Sequence, residues 1–101
     1  MKVALFIKHQ TRPGKRDDVR AIWERHLQPS IARNPGHEAY CYGFDHDDPD
    51  CICAFQQYAS VEASQAFLRT DSYAAYLAEV GALLLGPPQI TTITPVWIKG
   101  A

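Results

Sequence analysis

The spacing of hydrophobic and polar residues changes along the chain, and the change predicts its secondary structure. Four segments are rich in β-branched and aromatic residues and are bounded by glycine, proline or aspartate, which is typical of strands. Three others repeat apolar residues every three or four positions, as amphipathic helices do. The predicted strands are residues 3–9, 38–46, 51–58 and 90–98. The predicted helices are residues 15–33, 61–69 and 72–85.

Single residues refine these boundaries. Pro29 is expected to kink or break the first helix, since proline lacks the backbone donor and clashes one turn back. Ser60 is a suitable N-cap for the second helix, and Thr70 or Asp71 for the third. Pro95 falls inside the last strand, where it cannot donate to a ladder, so that point is an edge, a bulge or a crossing between chains.

The element order predicts an α+β fold of the ferredoxin-like kind, β-α-β-β-α-(α)-β, with one four-stranded antiparallel sheet and helices on one face. On the second strand, Tyr40, Tyr42 and Phe44 share one side, and small residues share the other. We expect the helices to cover the small side. The aromatic side would then be bare, which soluble monomers rarely tolerate, so a homodimer through the sheet faces is predicted.

Length and charge exclude several classes of protein. The chain has 101 residues, enough for a single domain over residues 1–101. Its formal charge is −1, from ten basic and eleven acidic residues without a basic cluster, so neither nucleic acid nor a membrane is an expected partner. Lys8 ends the apolar stretch at the N-terminus too early for a targeting signal. The three cysteines are interpreted as reduced core residues of a cytoplasmic protein.

No metal or cofactor site is expected from the motifs. The aspartate-rich turn at residues 45–50 lacks the glycine and final glutamate of a calcium loop. Cys51 and Cys53 lack zinc-site spacing and a second ligand pair. Phosphate-binding loops, dinucleotide fingerprints, serine-hydrolase elbows and zincin motifs do not occur.

Four short motifs, in order and at characteristic spacing, resemble the antibiotic biosynthesis monooxygenase family of the dimeric α/β-barrel superfamily. Members typically show an acidic residue, an aromatic, a serine and then Glu-Ala in the third motif. The motifs are Pro13-Gly14-Lys15, Asn34-Pro35-Gly36-His37, residues 55–63 and Thr70-Asp71-Ser72-Tyr73. The resemblance covers nearly the whole chain.

The resemblance implies cofactor-free oxygenation of quinols or aromatic polyketides, haem degradation, or small isomerase and signal-processing roles. The chain departs from the family at three positions. Phe67 and Ser72 stand where many members carry histidine, and Leu77 stands at the iron-ligating histidine of haem-degrading members. Leucine cannot ligate iron, which argues against haem degradation.

Cofactor-free oxygenation needs an apolar cleft, a proton acceptor and exclusion of water. We expect the cleft between the sheet and the later helices. His9, at the end of the first strand, is the candidate base, and Tyr76 is the second candidate catalytic residue. His9 could instead be a structural residue at the surface, and Tyr76 and the substrate-binding candidates could be core residues. His26 is interpreted as a core histidine whose hydrogen bonds are satisfied. The expected substrate-binding residues are Ile7, Tyr58, Phe67, Tyr73, Leu77 and Trp97.

The sequence therefore favours a cofactor-independent monooxygenase acting on a quinol or an aromatic polyketide-like molecule. Two alternatives remain. One is a non-catalytic dimeric domain that binds a small ligand or serves a stress response. The other is an isomerase or lyase on the same scaffold.

Overall fold

The computed structural model describes residues 1–100 and shows a four-stranded antiparallel sheet with helices on one face. The spatial order of the strands is β2-β3-β1-β4, so β2 and β4 form the edges. This arrangement confirms the predicted ferredoxin-like α+β fold. The strands are β1 (Val3–Gln10), β2 (His37–Phe44), β3 (Cys51–Tyr58) and β4 (Gln89–Ile93).

The helices are shorter than the sequence pattern predicts. The first predicted helix is two helices separated at Leu27, because Pro29 occupies the first turn of the second, where a missing backbone donor costs nothing. The last helix ends at Val80 and continues as a 3₁₀ turn, Gly81–Leu83. The helices are α1 (Arg16–His26), α2 (Gln28–Arg33), α3 (Val61–Phe67) and α4 (Asp71–Val80). Within residues 1–100, none is long and apolar enough to span a bilayer.

The core lies between the sheet and α1, α3 and α4. Helix α1 packs beside α4. Residues of both helices form one buried cluster with Phe67 of α3 and two residues of β3. Its members are Val19, Trp23, Leu27, Ile52, Tyr58, Phe67, Tyr76 and Val80.

The aromatic side of β2 faces the helices, so the expectation that it would be bare is wrong. Tyr40, Tyr42 and Phe44 pack against the core, and the Trp23 ring of α1 stacks on Tyr42 with centroids 4.0 Å apart. Hydrophobic alternation separates the two faces of a strand but does not say which face a helix covers. Burial of the larger side chains removes more apolar area from water, and the aromatic face is accordingly the buried one.

The opposite side, here called the open face, carries smaller and more polar residues around two phenylalanines. Phe6 and Phe55 lie with ring centroids 5.2 Å apart, and Phe6 is 49% exposed. Cys41 is also exposed on this face, so its prediction as a core residue is wrong, whereas Cys51 is buried. The last strand ends at Ile93, two residues before Pro95, and the segment after it is largely exposed.

Candidate functional site

A row of four ring side chains on β2 forms the floor of the candidate site. The register of β2 against β3 shifts between His37 and Ala39, which places one extra residue, Glu38, in β2. A bulge of this kind reverses the alternation, so His37 shares the helix-side face with Tyr40, Tyr42 and Phe44. We call these four residues the aromatic row.

A groove of about 540 Å³ runs along this row, between α1, α2 and the edge strand β2. Its apolar wall is formed by Trp23 together with Tyr40, Tyr42 and Phe44. Its rim is polar, with Arg20, Glu24 and Gln28 from the two helices. The volume and the apolar lining are those of a small-molecule site. We call it the Trp23 groove.

Two polar atoms in the walls of this groove have no hydrogen-bond partner. They are the hydroxyl of Tyr42 and the indole N–H of Trp23, which approaches the Tyr40 hydroxyl without completing a hydrogen bond, and both are buried. The third such atom in residues 1–100, Gln57 Oε1, belongs to the open face. Burial raises the pKa of the Tyr42 phenol, so it remains a protonated donor at neutral pH. A buried polar group without a partner costs about 1–3 kcal/mol, so a ligand oxygen that accepts from these donors would be favoured.

His37 extends the aromatic row and is held by two amide side chains. Its Nδ1 lies 2.8 Å from Asn34 Nδ2, and its Nε2 lies 2.9 Å from Gln56 Oε1. Asn34 Oδ1 already accepts from the Gly36 backbone N–H, so the Asn34 amide donates to His37 Nδ1. The imidazole is therefore neutral, with its proton on Nε2 donated to Gln56. Burial lowers the pKa of His37, and the contact with Gln56 opposes that shift.

The ring of His37 is enclosed by aromatic side chains. Its centroid lies 4.3 Å from that of Tyr58, 4.6 Å from Phe67 in an edge-to-face arrangement, and 5.8 Å from Tyr40. A second cleft, of about 290 Å³, opens next to this cluster and is lined by Asn34 and Phe67 among others. The short helix α2, which has no fully buried residue, lies between the cleft and the Trp23 groove.

Four of the residues expected in the site form one continuous aromatic cluster. Tyr58, Phe67, Tyr73 and Tyr76 follow one another with ring centroids 6.5, 6.1 and 6.4 Å apart. Tyr58, Phe67 and Tyr76 are buried, and burial raises the pKa of the Tyr76 phenol. They lie behind the walls of the groove and complete its packing.

The two expected residues of β1 lie elsewhere on the helix side. His9 pairs with Ile52, which in turn pairs with Phe44, so the buried Ile52 separates His9 from the end of the Trp23 groove. Burial lowers the pKa of His9. Ile7 pairs with Ala54, which separates it from Tyr42 in the same way. Neither residue lines the groove or the second cleft.

Leu77 and Trp97 do not join the site, and their expected placement is corrected. Leu77 is 47% exposed on the outer side of α4, and Trp97 is 79% exposed in the segment after β4. His26 is half-buried and contacts Glu79 of α4, which agrees with the structural interpretation of that residue.

Sequence reasoning missed the residues that the structure brings together here. In the sequence, Trp23 is one apolar residue of the first predicted helix, and His37 belongs to a motif that precedes the second predicted strand. The bulge at Glu38 is the reason, because regular alternation from residue 38 leaves His37 outside the strand. The polar pair Asn34 and Gln56 comes from separate elements and carries no signal of its own.

A sequence profile of the antibiotic biosynthesis monooxygenase family matches residues 3–79. The chain belongs to that family. The match spans β1 to most of α4, so it includes every residue of the aromatic row and both amides that hold His37.

Solved structures extend the likeness to the whole antibiotic biosynthesis monooxygenase fold. Rv0793 from Mycobacterium tuberculosis is 25% identical, with a TM-score of 0.85 over 99% of this chain and 100% of that one. A protein from Chloroflexus aurantiacus J-10-fl, provisionally named an antibiotic biosynthesis monooxygenase, is 26% identical, with a TM-score of 0.86 over 99% and 98%. NE2512 from Nitrosomonas europaea, described as of unknown function, is 26% identical, with a TM-score of 0.82 over 97% and 92%. No curated protein matches significantly.

Proposed function

We propose that this chain is a cofactor-independent monooxygenase that oxidises a small quinol or phenol bound in the Trp23 groove. The observation that carries the proposal is the pair of buried donors without partners, Trp23 Nε1 and the Tyr42 hydroxyl, in a groove with aromatic walls. Membership of the family supports the reaction class. The groove supports the substrate class, since a flat aromatic ring with an oxygen substituent satisfies both its apolar walls and its donors.

The reaction needs no external reductant. A quinol and O₂ give a hydroxyquinone and water, and the quinol supplies all four electrons that reduce O₂. The substrate hydroxyl first loses its proton, the electron-rich ring then transfers an electron to O₂, and a carbon–oxygen bond forms. Loss of water from the resulting peroxide, with the ring hydrogen removed as a proton, leaves the new carbonyl.

The protein contributes proton transfer and charge stabilisation. In this proposal His37, which neighbours Tyr40 but does not itself line the groove, accepts the substrate proton on Nδ1. This step requires α2 and Asn34 to move, so that the substrate hydroxyl replaces the Asn34 amide at that nitrogen. The imidazole suits this role because the Asn34 and Gln56 contacts keep it neutral. The Trp23 and Tyr42 donors stabilise the oxyanion that develops on the substrate. His37 thus takes the role first considered for His9, and Tyr76 supports the Tyr42 wall.

The proposed active form is a homodimer that pairs the open faces of two sheets. Phe6 and Phe55 form an apolar centre on that face, and Val96 and Trp97 in the C-terminal segment are almost fully exposed in the single chain. Exposed apolar surface of this kind marks an interaction site. A second copy would cover it while leaving the Trp23 groove, on the other side of the sheet, accessible.

Oxygen uptake tests the proposed reaction. Chelator-treated, flavin-free protein is incubated with a panel of benzo- and naphthoquinols, and O₂ consumption is compared with hydroxyquinone formed. We expect a ratio of one to one. Tyr42→Phe should lower kcat/KM about 10-fold, the worth of one hydrogen bond of about 1.4 kcal/mol. It should not lower the free energy of unfolding, since the hydroxyl has no partner in the free protein. His37→Gln should abolish turnover.

Tyr73→Phe is the matched control for this test. Tyr73 belongs to the same aromatic cluster but does not line the groove, so its hydroxyl should be dispensable for uptake. Uptake that survives both Tyr42→Phe and His37→Gln would refute the site. An absence of uptake with every quinol, combined with tight quinol binding, would favour the alternative below.

The alternative function is a non-catalytic dimeric domain that binds a small aromatic ligand in the same groove. One observation favours it. Both nitrogens of His37 already have partners, as expected of a structural imidazole. Quinol binding that quenches Trp23 fluorescence without consuming O₂ is its signature.

A further inference from the structure

The structure brings three metal-ligating side chains together on the open face, at the end of the sheet remote from His37. Cys51 and Cys53 are alternate residues of β3, and their side chains therefore point to the same side. Asp45 follows the end of β2, and its backbone N–H donates to the Cys51 carbonyl at 3.0 Å. The two thiols and the carboxylate lie within 4.8 Å of one another.

We propose that Asp45, Cys51 and Cys53 form a binding site for one thiophilic divalent cation, with zinc as the expected ion. Zinc is bound by thiolate at about 2.3 Å and by carboxylate at about 2.0–2.2 Å, which sets its ligand atoms roughly 3.5–3.8 Å apart in a tetrahedron. Zinc binding would therefore require side-chain rotations that bring the three ligand atoms, now within 4.8 Å of one another, to that spacing. Two sulfur ligands exclude calcium and magnesium, which take oxygen ligands.

The carboxylate of Asp45 is oriented for this role. Its Oδ1 accepts the backbone N–H groups of Asp47 and Asp48 at 2.9 and 3.0 Å, which leaves Oδ2 free to ligate. Fixing a ligating carboxylate by hydrogen bonds is the usual support for a metal ligand.

The turn that joins the three ligands is also held in place. The guanidinium of Arg16 donates to the carbonyls of Asp48, Asp45 and Cys51, at 2.8, 3.3 and 3.3 Å. Residues 45–51 are thereby tied to the start of α1. A site whose ligands come from a fixed turn loses less conformational freedom when the ion binds.

Access to the site is from the end of the open face at the β2–β3 turn, beside the surface around Phe6 and Phe55 that the proposed dimer would cover. Cys51 is buried, whereas Cys53 and Asp45 are half-exposed, so the cation would enter beside them and become covered on the Cys51 side. Lys8 Nζ lies 3.8 Å from Asp45 Oδ2, so a cation is already paired with this carboxylate in the free protein. Because Lys8 is itself half-exposed, it can swing into solvent when a metal ion replaces it.

The spacing of the cysteines argued against zinc at the level of sequence, and the third ligand changes that conclusion. A Cys-x-Cys pair alone has too few ligands, and Asp45 appeared to be one of several aspartates in a solvated turn. Only the β2–β3 pairing shows that Asp45, and not its neighbours, meets the thiols. With three protein ligands, the fourth tetrahedral position is available to water.

The test is a titration of reduced, chelator-stripped full-length protein with Zn²⁺ in competition with a chromophoric chelator, and separately with Co²⁺. We expect one zinc per chain and a thiolate-to-cobalt charge-transfer band in the near ultraviolet. Cys53→Ser should weaken zinc binding at least about 100-fold, more than loss of a supporting contact. Asp45→Asn keeps the turn-capping oxygen and should weaken binding while retaining the thiolate band. Lys8→Gln should tighten binding, because it removes the competing cation.

Cys41→Ser is the matched control. Cys41 lies on the same face but outside the cluster, so its loss should leave affinity unchanged. Cys51→Ser could disturb folding, which is why Cys53→Ser and Asp45→Asn carry the test, with circular dichroism to verify the fold. Three results would overturn the proposal. They are no zinc binding by the wild-type chain, an equal loss of binding in Cys41→Ser, and unchanged binding in Cys53→Ser. The site lies on the other side of the sheet from the Trp23 groove, so quinol oxidation can fail without affecting this result.

Discussion

At the scale of single residues, two histidines on the helix side of the sheet connect folding to pH. Burial lowers the pKa of both His9 and His37 from the ordinary value of 6.5. In the unfolded chain each takes up a proton near that value, while in the folded protein each resists protonation. The unfolded state therefore binds more protons as the pH falls below 6.5.

We predict that the free energy of unfolding is level from pH 8 to 7 and decreases from pH 6.5 towards pH 5. The carboxyls with lowered pKa values, Glu38, Asp45 and Glu79, start from 4.5 or 3.8, so their contribution is lost only at lower pH. Urea denaturation at each pH measures the effect. His37→Gln should flatten the decrease, and His9→Gln should flatten it independently. An undiminished slope in the double variant would contradict this assignment.

At the scale of elements, short side-chain contacts decide where helices and turns begin. Ser60 Oγ accepts the Ala63 N–H at 3.0 Å, and Thr70 Oγ1 accepts the Tyr73 N–H at 3.3 Å. Ser60 was predicted from sequence and Thr70 was one of two candidates beside Asp71, because a hydroxyl before an amphipathic stretch is a local signal. The β2–β3 turn depends instead on Arg16, which comes from a distant element and has no local signal.

Removal of the Arg16 clamp should destabilise the whole fold. Arg16 satisfies three turn carbonyls, and its guanidinium lies 3.9 Å from the centroid of the Phe44 ring. We expect Arg16→Met to lower the free energy of unfolding by about 1.5–3 kcal/mol, the worth of hydrogen bonds to a charged group. Arg20→Met is the control, because Arg20 lies 5.8 Å from the same ring and pairs with exposed Glu24. Arg20→Met should change the free energy of unfolding by less than about 1 kcal/mol. Equal losses of unfolding free energy in the two variants would refute this role of Arg16.

At the scale of the whole molecule, the proposed homodimer depends on the open face. The helices bury the aromatic side of β2, so the surface available to a second copy is the one around Phe6 and Phe55. The predicted homodimer keeps its sheet-to-sheet geometry, but the tyrosine row that first suggested it is part of the core. The exposed Trp97 and Val96 add apolar surface in the segment after β4.

We predict that Phe6→Lys converts the proposed dimer to monomer, because it places a charge in the apolar centre of the open face. Sedimentation equilibrium at micromolar concentration measures the mass, with Phe6→Leu as the apolar control that should remain dimeric. Circular dichroism should show both variants folded, since Phe6 is already half-exposed in the single chain. A wild-type chain that sediments as a monomer would rule out the assembly.

The sequence by itself determined the elements, their order and the fold class. These follow from local signals, namely the two hydrophobic periodicities, the capping hydroxyls and the prolines, each of which acts within one turn or strand. Tyr58, Phe67, Tyr73 and Tyr76 do form one aromatic cluster, because helix and strand spacing put them on faces that meet in one core. Their predicted role in catalysis and substrate binding stays a prediction.

The tertiary structure alone decided which face of the sheet the helices cover, and with it the site. Both faces of β2 are plausible interiors by pattern, and only packing against Trp23 selects the aromatic one. The bulge at Glu38 turns His37 inward, where it meets Asn34 and Gln56 from other elements. Strand pairing likewise brings Asp45 to Cys51 and Cys53. Contacts of this kind depend on register and on the direction of side chains in space, neither of which local spacing encodes.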